Sequence, residues 1–318
     1  MPLRLSVLDQ SPIPEGATGA QALANTLDLA RLTDALGFHR YWVAEHHGGG
    51  LLAGPAPEVL IAPIAAATSR IRVGTGGVML PHYSPFKVAE VFSLLAAMYP
   101  GRIDLGIGRA SGTDPLTMFA LQRDRRQASP DDFPEQLSEL LAHFNGTIGE
   151  DHPFHRLRLP ADERPDVWLL GSSPQSAIWA SQLGLDYAFA DFINPQGADL
   201  GLATAPRAIA VWALAADSDE EAQRLASSSR VTLLELRRGN LIPVPPPDKA
   251  LEYLRNVPKP HQGGGRRAII GTPEKVRAGL EETAAAYGAD EVIVVTICHD
   301  HQARLRSYEL LAEACGLT

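Results

Sequence analysis

The sequence predicts an α/β fold and, within that class, a (β/α)8 TIM barrel forming one domain over residues 1–318. Three observations predict it. Short β-branched or apolar runs alternate with longer amphipathic stretches along the chain, as repeated βα units require. The strand-like runs number eight, the count of a closed parallel barrel. A chain of 318 residues, 45% of them hydrophobic, can also bury one large core, and barrels of about 250 residues or more commonly form single domains.

The elements follow in order. The first strand covers 3–8, and its helix, 20–36, is closed by Gly37 as a C-terminal stop. Strands over 40–44, 71–74 and 102–107 alternate with helices over 58–68, 86–98 and 134–145. The fifth strand, 167–170, is a short apolar run suited to burial, followed by a helix over 174–183. The sixth covers 187–190 and the seventh 208–215, with a helix over 219–238. The eighth, 291–297, lies between helices over 273–287 and 302–314. Two stretches depart from the rhythm. Residues 191–206 form a shortened segment between strands six and seven, too short for a full crossover helix. Residues 240–267 hold six prolines and Gly263-Gly264-Gly265, which reads as a long, mobile excursion before strand eight.

Composition removes whole classes of function. The net charge is −9, with 28 Lys and Arg against 37 Asp and Glu and no long basic block, which argues against a nucleic-acid binder. No apolar stretch reaches the length of a membrane span, and the start runs into a strand rather than a signal peptide. A cytoplasmic location is expected. Cys298 and Cys315 make neither a disulfide framework nor a zinc pattern, and no metal site is expected.

Function in such a barrel sits at the carboxyl ends of the strands. The second strand ends in Glu45-His46-His47. Strand alternation lets one of the two histidines face the pocket, which disfavours a two-histidine metal site. One reading is a structural histidine partnered by Glu45, and the other a general acid–base at the mouth. The third strand ends in Gly74-Thr75-Gly76-Gly77, where bare backbone can approach a flat ligand or simply turn. The fourth ends in Gly106-Ile107-Gly108-Arg109, an arginine suited to a phosphate or carboxylate clamp, or to a surface ion pair. The fifth ends in Gly171-Ser172-Ser173-Pro174. Ser173 is a natural N-cap and Pro174 a natural first helical residue, so free amides, two hydroxyls and the helix dipole make an anion site. With Arg109 on the neighbouring strand end, one phosphate could be held from both sides. Cys298 and His299 follow the last strand as weaker candidates.

Taken together and in order, these motifs resemble the bacterial luciferase-like, flavin-dependent monooxygenases, as does the tail from Gly271-Thr272-Pro273-Glu274 to Arg304-Leu305-Arg306-Ser307-Tyr308. The similarity spans nearly the whole chain. It implies a barrel that binds FMN, with reduced FMN delivered by a separate flavin reductase, and transfer of one oxygen atom from O2 to an aldehyde, ketone or similar small organic substrate. Arg109, Ser172 and Ser173 match the phosphate site, and Gly76 and Gly77 the place where the family has a non-proline cis peptide beneath the flavin ring. His46 matches the catalytic histidine, with an ordinary pKa near 6.5 that would let it accept and return a proton. His47 is then expected to serve structure. Gly108 stands where the light-emitting enzyme has a reactive cysteine, so light emission is not implied. A homodimer is implied as well, and the helix over 86–98 carries Val88, Val91, Leu94, Leu95 and Met98 as surplus apolar surface. The 240–267 segment is expected near the site mouth. Three alternatives stay open: a deazaflavin-dependent hydride-transfer enzyme, a non-catalytic flavin-binding protein, and a metal-dependent barrel hydrolase.

Overall fold

Nine parallel strands and ten helices are present among residues 3–109, 114–122, 124–126, 131–257 and 268–317, which the computed structural model describes. In chain order the strands are β1 (Arg4–Asp9), β2 (Arg40–Val43), β3 (Arg72–Met79), β4 (Ile103–Gly108), β5 (Asp166–Gly171), β6 (Asp186–Ala190), β7 (Ala208–Ala215), β8 (Ala268–Gly271) and β9 (Glu291–Val295). The helices are α1 (Gly19–Ala35), α2 (Pro57–Ala67), α3 (Pro85–Met98), α4 (Pro115–Leu121), α5 (Phe133–Asn145), α6 (Pro174–Leu183), α7 (Asp219–Arg237), α8 (Pro247–Arg255), α9 (Pro273–Tyr287) and α10 (His301–Ala314). Strands β1 to β7 and β9 close the barrel: β1 pairs with β2 and β9, and β6 with β7 through Ala188↔Ala208. Local chemistry sets the element ends. The Thr18 hydroxyl accepts from Gln21 N–H while the Gln21 carboxamide oxygen accepts from Thr18 N–H, a capping box that starts α1.

The strands sort side chains into two cores, because alternate residues face opposite sides. The outer core joins Val7, Tyr41, Val43, Leu105 and Leu169 to the helices. The inner core holds Leu8, Trp42, Ala44, Trp168, Ala188, Ala210 and Ile293 inside the barrel. Below it, at the amino ends of the strands, Arg40 reaches Asp104 at 2.8 Å and Glu291 at 3.0 Å, with its guanidinium 4.6 Å over the Trp168 ring. Burial works against the Arg40 charge, but the two carboxylates outweigh it and raise its pKa. This ionic floor closes one end of the barrel and leaves the opposite end to hold a cavity.

Three local expectations change. Strand β8 pairs with the second half of β7, from Trp212↔Ala268 to Ala215↔Gly271; its four residues are too few to show a period. The excursion over 240–267 packs onto the barrel over its described residues, 240–257. Val244 is fully buried; its N–H donates to the Ile13 carbonyl and its carbonyl accepts from Glu15 N–H, both at 2.8 Å. These bonds tie the segment to the loop after β1, on the mouth side of the barrel, and α8 follows directly. Residues 258–267, including the triple glycine, lie outside the described residues. Helix α4 was also not expected, and none of its residues is buried. Between β6 and β7 stands a single 3-10 turn, Gly197–Leu200, in keeping with the short spacing there.

Candidate active site

A cavity of about 390 Å³ opens at the carboxyl ends of the strands. Gly76, Gly77, Arg109, Ser172 and Ser173 all line it, above an apolar base that includes Leu8, Trp42 and Ile293. The volume falls within the usual range for small-molecule sites of about 300–1,000 Å³. Small residues make the room: Ala188, Ala190 and Ala210 line it where longer side chains would fill it.

The glycines answer to close backbone approach. The Gly76–Gly77 peptide is cis, and the β3–β4 register shifts between Gly76 and Val78. A Cβ on Gly77 would sit 2.5 Å from the Gly106 carbonyl oxygen and 2.6 Å from Leu170 Cδ1. A Cβ on Gly76 would meet Leu8 Cδ1 at 2.5 Å. The bare backbone therefore packs against β4 and the barrel interior at the cavity floor.

The polar end is built from β4, β5 and α6. Arg109 is half-exposed, sits 5.5 Å over the Trp179 ring, and donates from Nη2 to Asp131 at 3.1 and 3.2 Å. Ser173 occupies the N-cap position of α6 with Pro174 following, but its side chain makes no capping bond, contrary to the sequence expectation. The Ser173 carbonyl accepts from Ser176 Oγ at 2.8 Å and the Ser172 carbonyl from Asn194 Nδ2 at 3.0 Å, so the Gly171-Ser172-Ser173 turn is held from behind. Hydroxyls and first-turn amides of α6 remain for an incoming anion, which the helix dipole favours. Burial pushes the Tyr187 phenol, which hydrogen-bonds Ser176, up to about 12.

The two histidines have different surroundings. His47 Nε2 lies 2.7 Å from Glu45 Oε1, and Glu45 is fully buried. His46 is not among the residues lining the cavity. Its backbone N–H donates to the Gly54 carbonyl at 3.2 Å, and its Nδ1 is buried without a hydrogen-bond partner among the described residues. Trp42 and Ala44 face the barrel interior while Val43 faces the helices, but β2 ends at Val43, so alternation does not extend to His46 and His47. The expectation of an ordinary histidine does not hold. Burial, with His47 beside it, pushes the His46 imidazole down to about 4, so it is neutral at pH 7.

Other groups fall away from the cavity. Cys298 is buried among Leu214, Ala216, Ala222 and Leu225, and burial pushes its thiol up to about 12. His299 approaches the Glu15 carbonyl at 3.3 Å. Among the described residues, no group of three or more His, Cys, Asp or Glu could hold a metal, and no helix is long and apolar enough to cross a membrane. A second cavity of about 440 Å³ shares Arg109 and is lined by Pro81, His82, Met118, Phe119 and Phe133. The sequence held no signal for it, because α4 and α5 meet β3's end only in the folded chain.

Comparison with known proteins agrees with this architecture. A family profile described as luciferase-like monooxygenase matches residues 3–291. A luciferase-like monooxygenase of Escherichia coli strain K12 is 39% identical, over 97% of this chain and 96% of its own length. An N-acetyl-S-alkylcysteine monooxygenase of Bacillus subtilis strain 168 is 38% identical over 98% of both chains. The crystal structure of apo-MsnO8 superposes with a TM-score of 0.89 at 42% identity, covering 99% of each chain. A profile match over most of the chain, relatives near 40% identity at full length and a shared closed barrel together make this protein a member of the luciferase-like monooxygenase family.

Proposed function

We propose that the protein is a cytoplasmic flavin-dependent monooxygenase that takes reduced FMN from a separate reductase, uses O2, and inserts one oxygen atom into a small organic substrate. The observation that carries this reading is the convergence of Arg109, Ser172, Ser173 and the α6 N-terminus at one end of a cavity floored by Gly76 and Gly77. The residues present fit FMN. A guanidinium, two hydroxyls and free helix amides suit a phosphate, and a floor on which a Gly77 Cβ would collide with Gly106 leaves a flat surface for a ring.

Reduced FMN, when bound, supplies O2 activation and oxygen-atom transfer. The chain's own residues do the rest. Arg109 and the α6 turn anchor the phosphate, and the apolar walls from Leu8, Trp42 and Phe192 exclude water from the ring end. His46, neutral at pH 7, would accept a proton at its unpartnered Nδ1. The substrate classes to try first are long-chain aldehydes, ketones and thioethers, the last because one relative is named as an N-acetyl-S-alkylcysteine monooxygenase. A homodimer completes the proposal: on α3, Val88 and Leu95 are buried, while Leu94 and Met98 are 52% and 55% exposed. Sedimentation at micromolar concentration tests that assembly, and a monomer there would refute it.

The decisive test is a reductase-coupled reaction with 18O2 and a panel of those three substrate classes. One 18O atom in the product of wild-type protein, lost in His46→Ala at unchanged FMN affinity, is the expected result. Absence of flavin binding, or full turnover by His46→Ala, would refute the proposal.

A further inference from the structure

Strand β2 stops short of its neighbour. The β2–β3 ladder ends at Val43↔Thr75, yet β3 runs on to Met79, and on its other side it is paired with β4 through Met79↔Gly108. The segment between carries Gly76, Gly77 and Met79 along the wall of the cavity. On the β2 side the backbone of that segment has no strand beside it.

Glu45 takes the place of the missing strand. Its Oε2 accepts the Met79 N–H at 2.9 Å, while its Oε1 meets His47 Nε2 at 2.7 Å. Tyr83, in the turn before α3, also hydrogen-bonds the Glu45 carboxylate. Glu58 of α2 faces the same carboxylate; its Oε2 is buried without a hydrogen-bond partner among the described residues. Burial, and the Glu45 charge behind it, raise the Glu58 carboxyl. The His82 ring stands edge-on to His47 at 5.8 Å. Glu45 is thus a buried hub joining the ends of β2 and β3 to α2 and α3, directly behind the cavity wall.

We propose that Glu45, oriented by His47, is a positioning residue that fixes the Gly76–Met79 segment and so sets the shape of the cavity floor. Glu45 touches no ligand; it acts through the Met79 backbone. The inference rests on the flavin reading for its consequence in binding, but not for its effect on the backbone. A carboxylate in this place does what a β2 carbonyl does lower in the ladder: it satisfies a donor that would otherwise be left buried and unpaired.

The test compares Glu45→Ala with Asp34→Ala. Asp34 also accepts backbone N–H groups, from Ser69, Arg70 and Ile71, but in the connection between α2 and β3, at the far end of the barrel. Hydrogen exchange at the Met79 amide of ligand-free protein, followed by NMR, should speed up at least about tenfold in Glu45→Ala and stay unchanged in Asp34→Ala. Titration with oxidised FMN should show affinity weakened at least about tenfold by Glu45→Ala and within twofold of wild type for Asp34→Ala. Glu45→Gln, which keeps an acceptor for Met79, should recover most of both. If Glu45→Ala does not fold, His47→Ala carries the same two readouts, each expected to move in the same direction. Unchanged Met79 exchange, or equal FMN losses in the Glu45 and Asp34 variants, would overturn the positioning role. Failure of wild-type protein to bind FMN would instead overturn the flavin reading, and the exchange measurement would still decide on Glu45.

Discussion

Replacing Arg109 by alanine puts a number on the phosphate site. In the ligand-free chain its guanidinium is half-exposed and bound to Asp131 at 3.1 Å. A charge-assisted hydrogen bond to a phosphate is worth about 1.5–3 kcal/mol. Engaging it costs some of the Arg109–Asp131 pair, an exposed interaction worth about 0–1 kcal/mol. The difference, roughly 0.5–3 kcal/mol, corresponds to FMN affinity about 2- to 160-fold weaker in Arg109→Ala. Quenching of flavin fluorescence at fixed ionic strength measures it, and riboflavin, which lacks the phosphate, is the control. Riboflavin affinity should not change. Asp131→Asn provides the opposite sign: with its competitor neutralised, Arg109 should hold FMN up to about fivefold more tightly, and less so at high salt. Equal affinity of wild type and Arg109→Ala for FMN would refute the phosphate assignment. Equal losses for FMN and riboflavin would refute it too, since the effect would then not pass through the phosphate.

Three further predictions concern protonation and packing. His46 is held near 4, below its ordinary 6.5, so between those values the unfolded chain binds a proton that the folded chain refuses. Stability from this group therefore falls as pH drops from about 6.5 to 4, and its imidazole NMR signals should not titrate above pH 5; a midpoint near 6.5 would contradict the burial argument. Asp9 is fully buried, 2.6 Å from Arg304 and 2.7 Å from the Tyr41 hydroxyl. Burial opposes its charge, but those partners outweigh it and keep the carboxyl below its usual value, so its contribution is present above about pH 4 and lost as pH falls through the folded value. Asp9→Ala leaves Arg304 buried and unpaired, at a cost of about 3–5 kcal/mol. At an unfolding entropy of roughly 0.7 kcal/mol/K for a chain of this length, calorimetry should show Tm lowered by about 4–8 °C. Gly77→Ala places a methyl 2.5 Å from the Gly106 oxygen, so it should cost about 1–3 kcal/mol and weaken FMN binding as the floor shifts; wild-type stability and affinity would show that the backbone has slack there.

Much of this protein was legible in its sequence because the information is local. Alternation of apolar runs and amphipathic stretches marks eight of the nine strands, and Gly37 and Pro174 mark helix ends, since period and cap chemistry depend on near neighbours. The same holds for Arg109 and the Ser172-Ser173 turn: each stands at a strand end, and a closed barrel gathers strand ends at one face. Tertiary structure alone decided what depends on register between distant segments. The ionic floor joins Arg40, Asp104 and Glu291, which are far apart in sequence and meet only because β2, β4 and β9 begin at one level of the barrel. Strand β8 is too short for a period and gains its identity from the second half of β7, where the β7–β9 ladder ends. Val244 becomes core only against the loop after β1. The Glu45-His46-His47 ending shows the division most clearly. Alternation stops with β2 at Val43, so how burial and His47 lower the His46 imidazole, and which backbone amide the Glu45 carboxylate satisfies, are properties of the packed barrel rather than of any stretch of chain.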